Sequence, residues 1–209
     1  MFRAHGIVRA LAWVPIVAAV LATTAQAGAR DHDGGFFLRL SAGGGPARTE
    51  FNEGTESMEL SGFGFDFNMA IGGMVAQNLA LHGTLGGWTV SNPDAEGTTF
   101  LVGPFSGEFE GDVTMSMFGG GLTYYFMPIN IYVSGSVGAA TLSSDSPAGE
   151  GETDMGPAFD LTVGKEWWVG NKWGLGLAVA FGYHSLPEKD SSENWSGTSF
   201  TVRFSATLN

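Results

Sequence analysis

The chain has no cysteine. That excludes disulfides, thiolate metal sites and a lipid-modified cysteine at the mature terminus, and leaves packing and backbone pairing to hold the fold. Charge is also scarce: Asp, Glu, Lys and Arg make up 14% of the 209 residues, against about 25% in typical soluble domains. A surface this poor in charge is not that of an ordinary water-soluble protein. Basic residues are the scarcest, 9 against 21 acidic ones for a formal charge of -12. Nucleic-acid binding needs a basic footprint to displace counterions, so no nucleic-acid partner is expected. Beyond the first 27 residues there is no helical period and no run of 18 apolar residues, so any membrane crossing must be made by strands.

What is present begins with an export segment. Arg3 and Arg9 precede the apolar run from Ala10 to Leu21, and Ala25-Gln26-Ala27 follows as a small-x-small site. The apolar core is nearer 12 residues than the roughly 20 a span needs, and Pro15 interrupts it. Residues 1–27 therefore read as a secretory signal peptide cut after Ala27, and residues 28–209 as one domain.

That domain is written in period two, the spacing of strands. Phe36, Leu38, Leu40 and Ala42 alternate with Phe37, Arg39, Ser41 and Gly43, up to a stop expected at Gly44-Gly45-Pro46, with a polar loop to about Leu60. Phe63, Phe65, Phe67, Met69 and Ile71 then face away from Gly64, Asp66, Asn68 and Ala70. Leu79 to Trp88, Val113 to Phe126 and Ile131 to Val137 supply three more alternating runs, Gly156 to His184 a Trp-rich hairpin, and Phe200 to Leu208 the last. The pattern predicts an all-β fold of eight strands of about ten residues, the length that crosses a bilayer when tilted. Long connections (to Leu60, Ser91–Asp112, Ser143–Met155, Ser185–Gly197) alternate with short turns near Gln77, Met127 and Gly170. That asymmetry predicts an eight-stranded antiparallel up-and-down transmembrane β-barrel, with short turns and both termini in the periplasm and long loops outside.

One face of each strand is apolar; the other is mostly Gly, Ala, Ser and Thr with few charges. Small residues suit the cramped interior of an eight-stranded barrel, so the apolar face is assigned to lipid and the small one to a largely filled lumen. Outer-membrane lipid is the expected partner, and a monomer is expected. Trp167, Trp168 and Trp173 at one hairpin end, with Tyr124 and Phe126 at another, are assigned to the membrane interface, where amphipathic rings sit favourably.

The alternation, the turn Tyr124-Tyr125-Phe126-Met127-Pro128-Ile129-Asn130 and the segment Gly164-Lys165-Glu166-Trp167-Trp168 resemble the small outer-membrane β-barrel family of Gram-negative bacteria, the OmpA/OmpX type. The resemblance covers nearly all the mature chain, through pattern more than a diagnostic motif. It implies a porin-like, cell-envelope protein. Members of such families end on an aromatic residue that the assembly machinery reads. This chain ends Leu208-Asn209, which leaves Phe204 or Leu208 to serve instead.

Parity assigns Arg39, Asp66, Asn68, His82, Asp160, Glu166 and Arg203 to the lumen. Buried charges must be paired, so a structural plug is one reading; an ion pathway whose partners switch is the other. His82, a lone inward histidine, reads as a hydrogen-bonding residue rather than a ligand. Strands one and eight close the barrel, which predicts Arg39 and Arg203 on adjacent staves. His184 beside Ser185, with Asp190 in the next loop, is the only arrangement suggesting an outer-membrane lipid- or peptide-modifying enzyme, and its spacing specifies no nucleophile beside a base. No catalytic residues, cofactor or specific metal ligands are assigned. Sixteen of the 21 acids fall in the long connections, with only Arg48 and Lys189 to offset them. These are a solvated surface, with weak, diffuse binding of divalent cations as the sharper possibility. The leading expectation is a non-catalytic barrel with a structural or surface-interaction role; the alternative is a small passive channel.

Overall fold

The computed structural model describes residues 31–32, 35–100, 103–189 and 193–209. The signal peptide expected over residues 1–27 lies outside them. Among the described residues there are eleven strands: β1 (Phe36–Glu53), β2 (Glu56–Ala76), β3 (Leu79–Ser91), β4 (Asp94–Thr99), β5 (Gly103–Glu108), β6 (Asp112–Phe126), β7 (Ile131–Ser146), β8 (Gly149–Glu152), β9 (Gly156–Trp168), β10 (Trp173–Pro187) and β11 (Asn194–Leu208). Eight of them form the wall in the order β1-β2-β3-β6-β7-β9-β10-β11, every neighbour antiparallel. β11 returns to β1 with Arg39 opposite Thr207 and Gly43 opposite Arg203. The fold is a closed transmembrane β-barrel, in which backbone pairing around the ring satisfies the groups that hydrocarbon cannot.

Alternation sorts the two faces. Phe65, Phe67, Leu81, Leu85, Phe118, Leu122, Val137, Leu161, Phe200 and Phe204 are exposed on the outside. Between them, inward positions such as Ala70, Ala80, Thr123, Ser134 and Thr201 are buried. A belt of bare aromatic and aliphatic side chains would be costly in water and is favourable against lipid tails. Three short turns gather at one end, two of them using an asparagine with positive φ, Asn78 (62°) and Asn130 (54°), a conformation Asn tolerates better than most residues.

At the other end the strands run further than alternation suggested. β1 does not stop at Gly44-Gly45-Pro46 but continues to Glu53, paired with β2 from Arg48 opposite Ser61 to Glu53 opposite Glu56. The first polar connection is therefore the top of a long hairpin closed at Gly54-Thr55, Gly54 having φ +58°. The stretch from Ser91 to Asp112 likewise contains the β4–β5 hairpin, with β4 paired to the upper part of β2. Within Ser143–Met155, β8 pairs back on β7. The reason is physical: above the membrane the outward face meets water, polar residues are allowed on both faces, and the period-two hydropathy signal fades while the hydrogen-bond ladder continues.

Candidate functional site: the lumen

The seven residues that alternation assigns to the lumen all lie on the inner wall and are buried or half-buried. They form two layers rather than one cluster. In the upper layer the Arg203 fork grips two carboxylates from opposite sides. Nε and Nη2 donate to Asp66 at 2.5 and 2.8 Å, while Nη2 and Nη1 donate to Asp160 at 2.7 and 3.0 Å. Thr162 accepts from Nη1 at 3.0 Å and donates to Asp160 at 2.9 Å. Arg203 and Asp66 are 5% and 1% exposed, so this is an ion triad held away from water, where one missing partner leaves an uncompensated charge. Asn68 is buried on β2 beside Gly86.

Arg39 lies one layer closer to the short turns. It sits on the stave next to Arg203, but the two share no partner. Its Nη2 donates to Ser134 at 2.8 Å and Thr123 at 3.2 Å, and its guanidinium carbon lies 4.4 Å from the Tyr132 ring centre. Thr123 is the hub of this layer. It donates to Ser134 at 2.9 Å and also meets His82 Nε2 at 3.0 Å. With that hydroxyl proton committed to Ser134, His82 Nε2 is the donor to Thr123 and Nδ1 the acceptor from Thr84, 3.0 Å away. Thr84 reaches Ser136 at 2.9 Å. Glu166 accepts from Thr207 at 2.6 Å and from Tyr125 at 3.4 Å. Glycine makes room for the bulk: a Cβ on Gly164 would come within 2.6 Å of the Tyr132 ring, which therefore lies across β9.

Two features of the lumen were not legible in the sequence. The first is His32, in what reads as a polar lead-in. It is buried beneath the barrel and stacked on Tyr125 with ring centres 3.6 Å apart. Its amide donates to Asn78 Oδ1 at 2.9 Å, its Nε2 meets Asn130 Oδ1 at 2.8 Å, and its Nδ1 meets Asn209 Nδ2 at 2.5 Å. His32 thus ties two short turns and Asn209 together at that end, the Asn78 turn through its backbone and the Asn130 turn and Asn209 through its ring. The second is the opposite half of the interior, which is apolar rather than small and polar. Trp88, Val90, Val113, Met115, Met117, Leu142 and Leu186 pack there with Ala47, Leu60 and Ala158. Their inward parity was available in the sequence; the change of character along the strands was not anticipated.

Trp168 corrects an expectation. Its neighbours Trp167 and Trp173 stand on the outer face, as do Tyr124 and Phe126, whose rings meet edge-on at 4.9 Å. Trp168 has the inward parity of Glu166 and its ring lies 4.8 Å from that of His32. A single step along a strand reverses the face, so adjacent tryptophans cannot both meet lipid. The same rule separates His184 from Ser185. His184 is buried inside against Thr49 Oγ1 at 3.1 Å, whereas Ser185 has the outward parity and meets Asn194 at 3.3 Å. Asp190 lies outside the described residues. Among the acids of the long connections, Asp112, Asp145, Glu150 and Glu152 border a hollow of about 610 Å³ with Lys189. No group of three or more ligating side chains among the described residues is arranged to hold a metal.

No family model matches the chain, and no curated protein matches it in sequence. Solved structures do match. Neisserial surface protein A is similar over 83% of this chain and 96% of its own, at 11% identity and a TM-score of 0.56. OprG of Pseudomonas aeruginosa, at 12% identity, covers 85% of this chain and 98% of its own with a TM-score of 0.46. The Yersinia pestis attachment invasion locus protein Ail, at 10% identity, covers 82% and 99% with a TM-score of 0.44. The first of these likenesses carries the fold.

Proposed function

We propose that this protein is a non-catalytic barrel of the bacterial outer membrane, exported by its leader, whose lumen is sealed and whose work is done at the surface through the long-strand end. The observation that carries this reading is the interior apolar layer. Trp88, Val113 and Leu186 are 4%, 1% and 0% exposed, and a water path through the Arg203 triad would have to cross them. His32 closes the opposite mouth. The surface work falls to an acid-rich β extension, which favours partners of opposite charge and disfavours polyanions. Planar-bilayer recordings of purified protein test the reading: no resolved conductance steps are expected, and steps of constant size in most insertions would replace it with the channel reading.

A passive channel has one observation in its favour, the polar column from Glu166 through Arg39 to Arg203 with hydroxyls at every level. If the apolar layer is the gate, Met115→Ser and Met117→Ser together should raise conductance. An enzyme reading gains nothing from His184, which faces Thr49 inside the wall. Hydrolysis of lipid or peptide that disappears in His184→Ala would restore it. For weak divalent-cation binding, calcium titration into the refolded protein should give a heat signal lost on neutralising Asp112, Asp145, Glu150 and Glu152.

A further inference from the structure

Above the membrane the wall has a free edge. β5 pairs with β4 and, among the described residues, with no strand on its other side. The stave that would flank it is β7, which stops at Ser146, level with Gly111 and short of Glu108. β5 is nonetheless held in place: Ala95 of β4 is buried, and Phe105 and Phe109 pack against the apolar layer of the interior. Its hydrogen-bonding parity follows from the Phe109 amide, which donates to the Pro93 carbonyl at 2.9 Å. Alternate residues of an antiparallel strand turn their backbone groups to opposite sides, so Gly103, Phe105 and Gly107 face β4. The amides of Ser106 and Glu108, with the carbonyls of Pro104, Ser106 and Glu108, face the open edge, and all three residues are exposed.

The sheet beside this edge carries charge of one sign. Glu50, Glu59 and Glu96 lie directly opposite one another on β1, β2 and β4, and Asp94 lies opposite Glu108. Like charges in such positions destabilise a sheet. Arg48 meets Glu50 and Glu59 at 2.8 and 2.9 Å. Among the described residues no cation pairs with Asp94, Glu96 or Glu108. The opposite face of β5 carries Phe105, so an added strand would continue two different faces, an acidic one outside and an apolar one inside.

We propose that the free edge of β5 takes up an extended basic segment of a partner protein as an added strand. Backbone bonds to Ser106 and Glu108 set its register, lysine or arginine on its outer face meets Glu96 and Glu108, and apolar residues on its inner face lie beside Phe105. Charge selects against a second copy of this chain as the occupant, since two β5 edges would bring like acids together. Pro104 has no amide to offer and limits the paired length at the start of the strand. The proposal rests on the reading of the acid-rich extension as the working surface, and adds the place of contact and the conformation of the partner.

The probe is a fluorescein-labelled peptide that alternates lysine with valine and threonine, titrated by anisotropy against the full protein in phosphatidylcholine nanodiscs. Residues that exchange backbone bonds across an antiparallel pair share a face, so the lysine amides are the ones that would meet β5. N-methylation of the central lysine amides should weaken binding about tenfold, whereas N-methylation of the valine amides should leave it unchanged. That comparison needs no change in the protein. Ser106→Pro removes an edge donor and no bond to β4, and should also weaken binding about tenfold. Glu96→Gln and Glu108→Gln should each weaken it about threefold. Binding that responds to the glutamines but not to the position of the methyl groups overturns the added strand and leaves the acidic surface as a diffuse attractor. Absence of binding in wild type, with an acidic peptide doing no worse, overturns the surface reading along with the edge. A concentration-dependent dimer that Ser106→Pro abolishes would give the edge to a second copy and overturn the basic partner.

Discussion

The two halves of the lumen are closed by different physics. Toward the short turns the interior is a network of directed bonds, in which Arg203, Arg39, Thr123 and His82 each require particular partners at particular distances. Toward the long strands it is a volume filled by Trp88, Met115, Met117, Leu142 and Leu186. The same inward alternation specifies both, so parity says which side chains share the interior but not how they seal it. A bonded network fails when one member is removed, because what remains is unpaired and dry. A packed apolar layer fails in proportion to the space left empty and tolerates changes that keep volume.

That contrast can be broken by substitution. The largest effect is expected from Arg203→Ala, which leaves Asp66 and Asp160 buried together without their cation. A loss of about 3–5 kcal/mol is expected in urea unfolding from lipid vesicles. The triple variant Arg203→Met, Asp66→Asn, Asp160→Asn should recover most of it. Next comes Leu186→Ala in the packed half, at about 2–5 kcal/mol from lost transfer energy and a cavity, with conductance still absent. The sharpest comparison is between two near-isosteric changes. Thr123→Val strands the bonds of Arg39, His82 and Ser134 and should cost about 1–3 kcal/mol. Met117→Leu should cost less than about 1.5 kcal/mol in the same assay. Equal losses for these two would erase the distinction between the halves.

Legibility followed from geometry. Facing was readable because the side-chain period of a strand is two and does not depend on what the strand contacts; Arg39, Asp66, His82, Asp160, Glu166 and Arg203 owe their inward assignment to it. Partnership was not readable. Arg39 and Arg203 occupy neighbouring strands, yet they lie four residues apart along the β1–β11 register and bond to different elements. Trp168 was misplaced because three tryptophans near one turn invite a single explanation, whereas strand parity separates them. The long strands beyond the belt were missed because hydropathy reports the medium outside the wall, and there the medium is water.

By itself, then, the sequence determined an all-β membrane wall, the facing of its side chains and the asymmetry of its two ends, since each depends on local period and connection length. Only the tertiary structure decided what meets across the lumen. Asp66 and Asp160 come from strands far apart in the chain and are brought to one guanidinium by barrel closure and register. His32 could be recognised as a clasp only once the Asn78 and Asn130 turns and Asn209 were gathered around it. Contacts of that kind are set by the shear and closure of the whole ring, which no local stretch of sequence encodes.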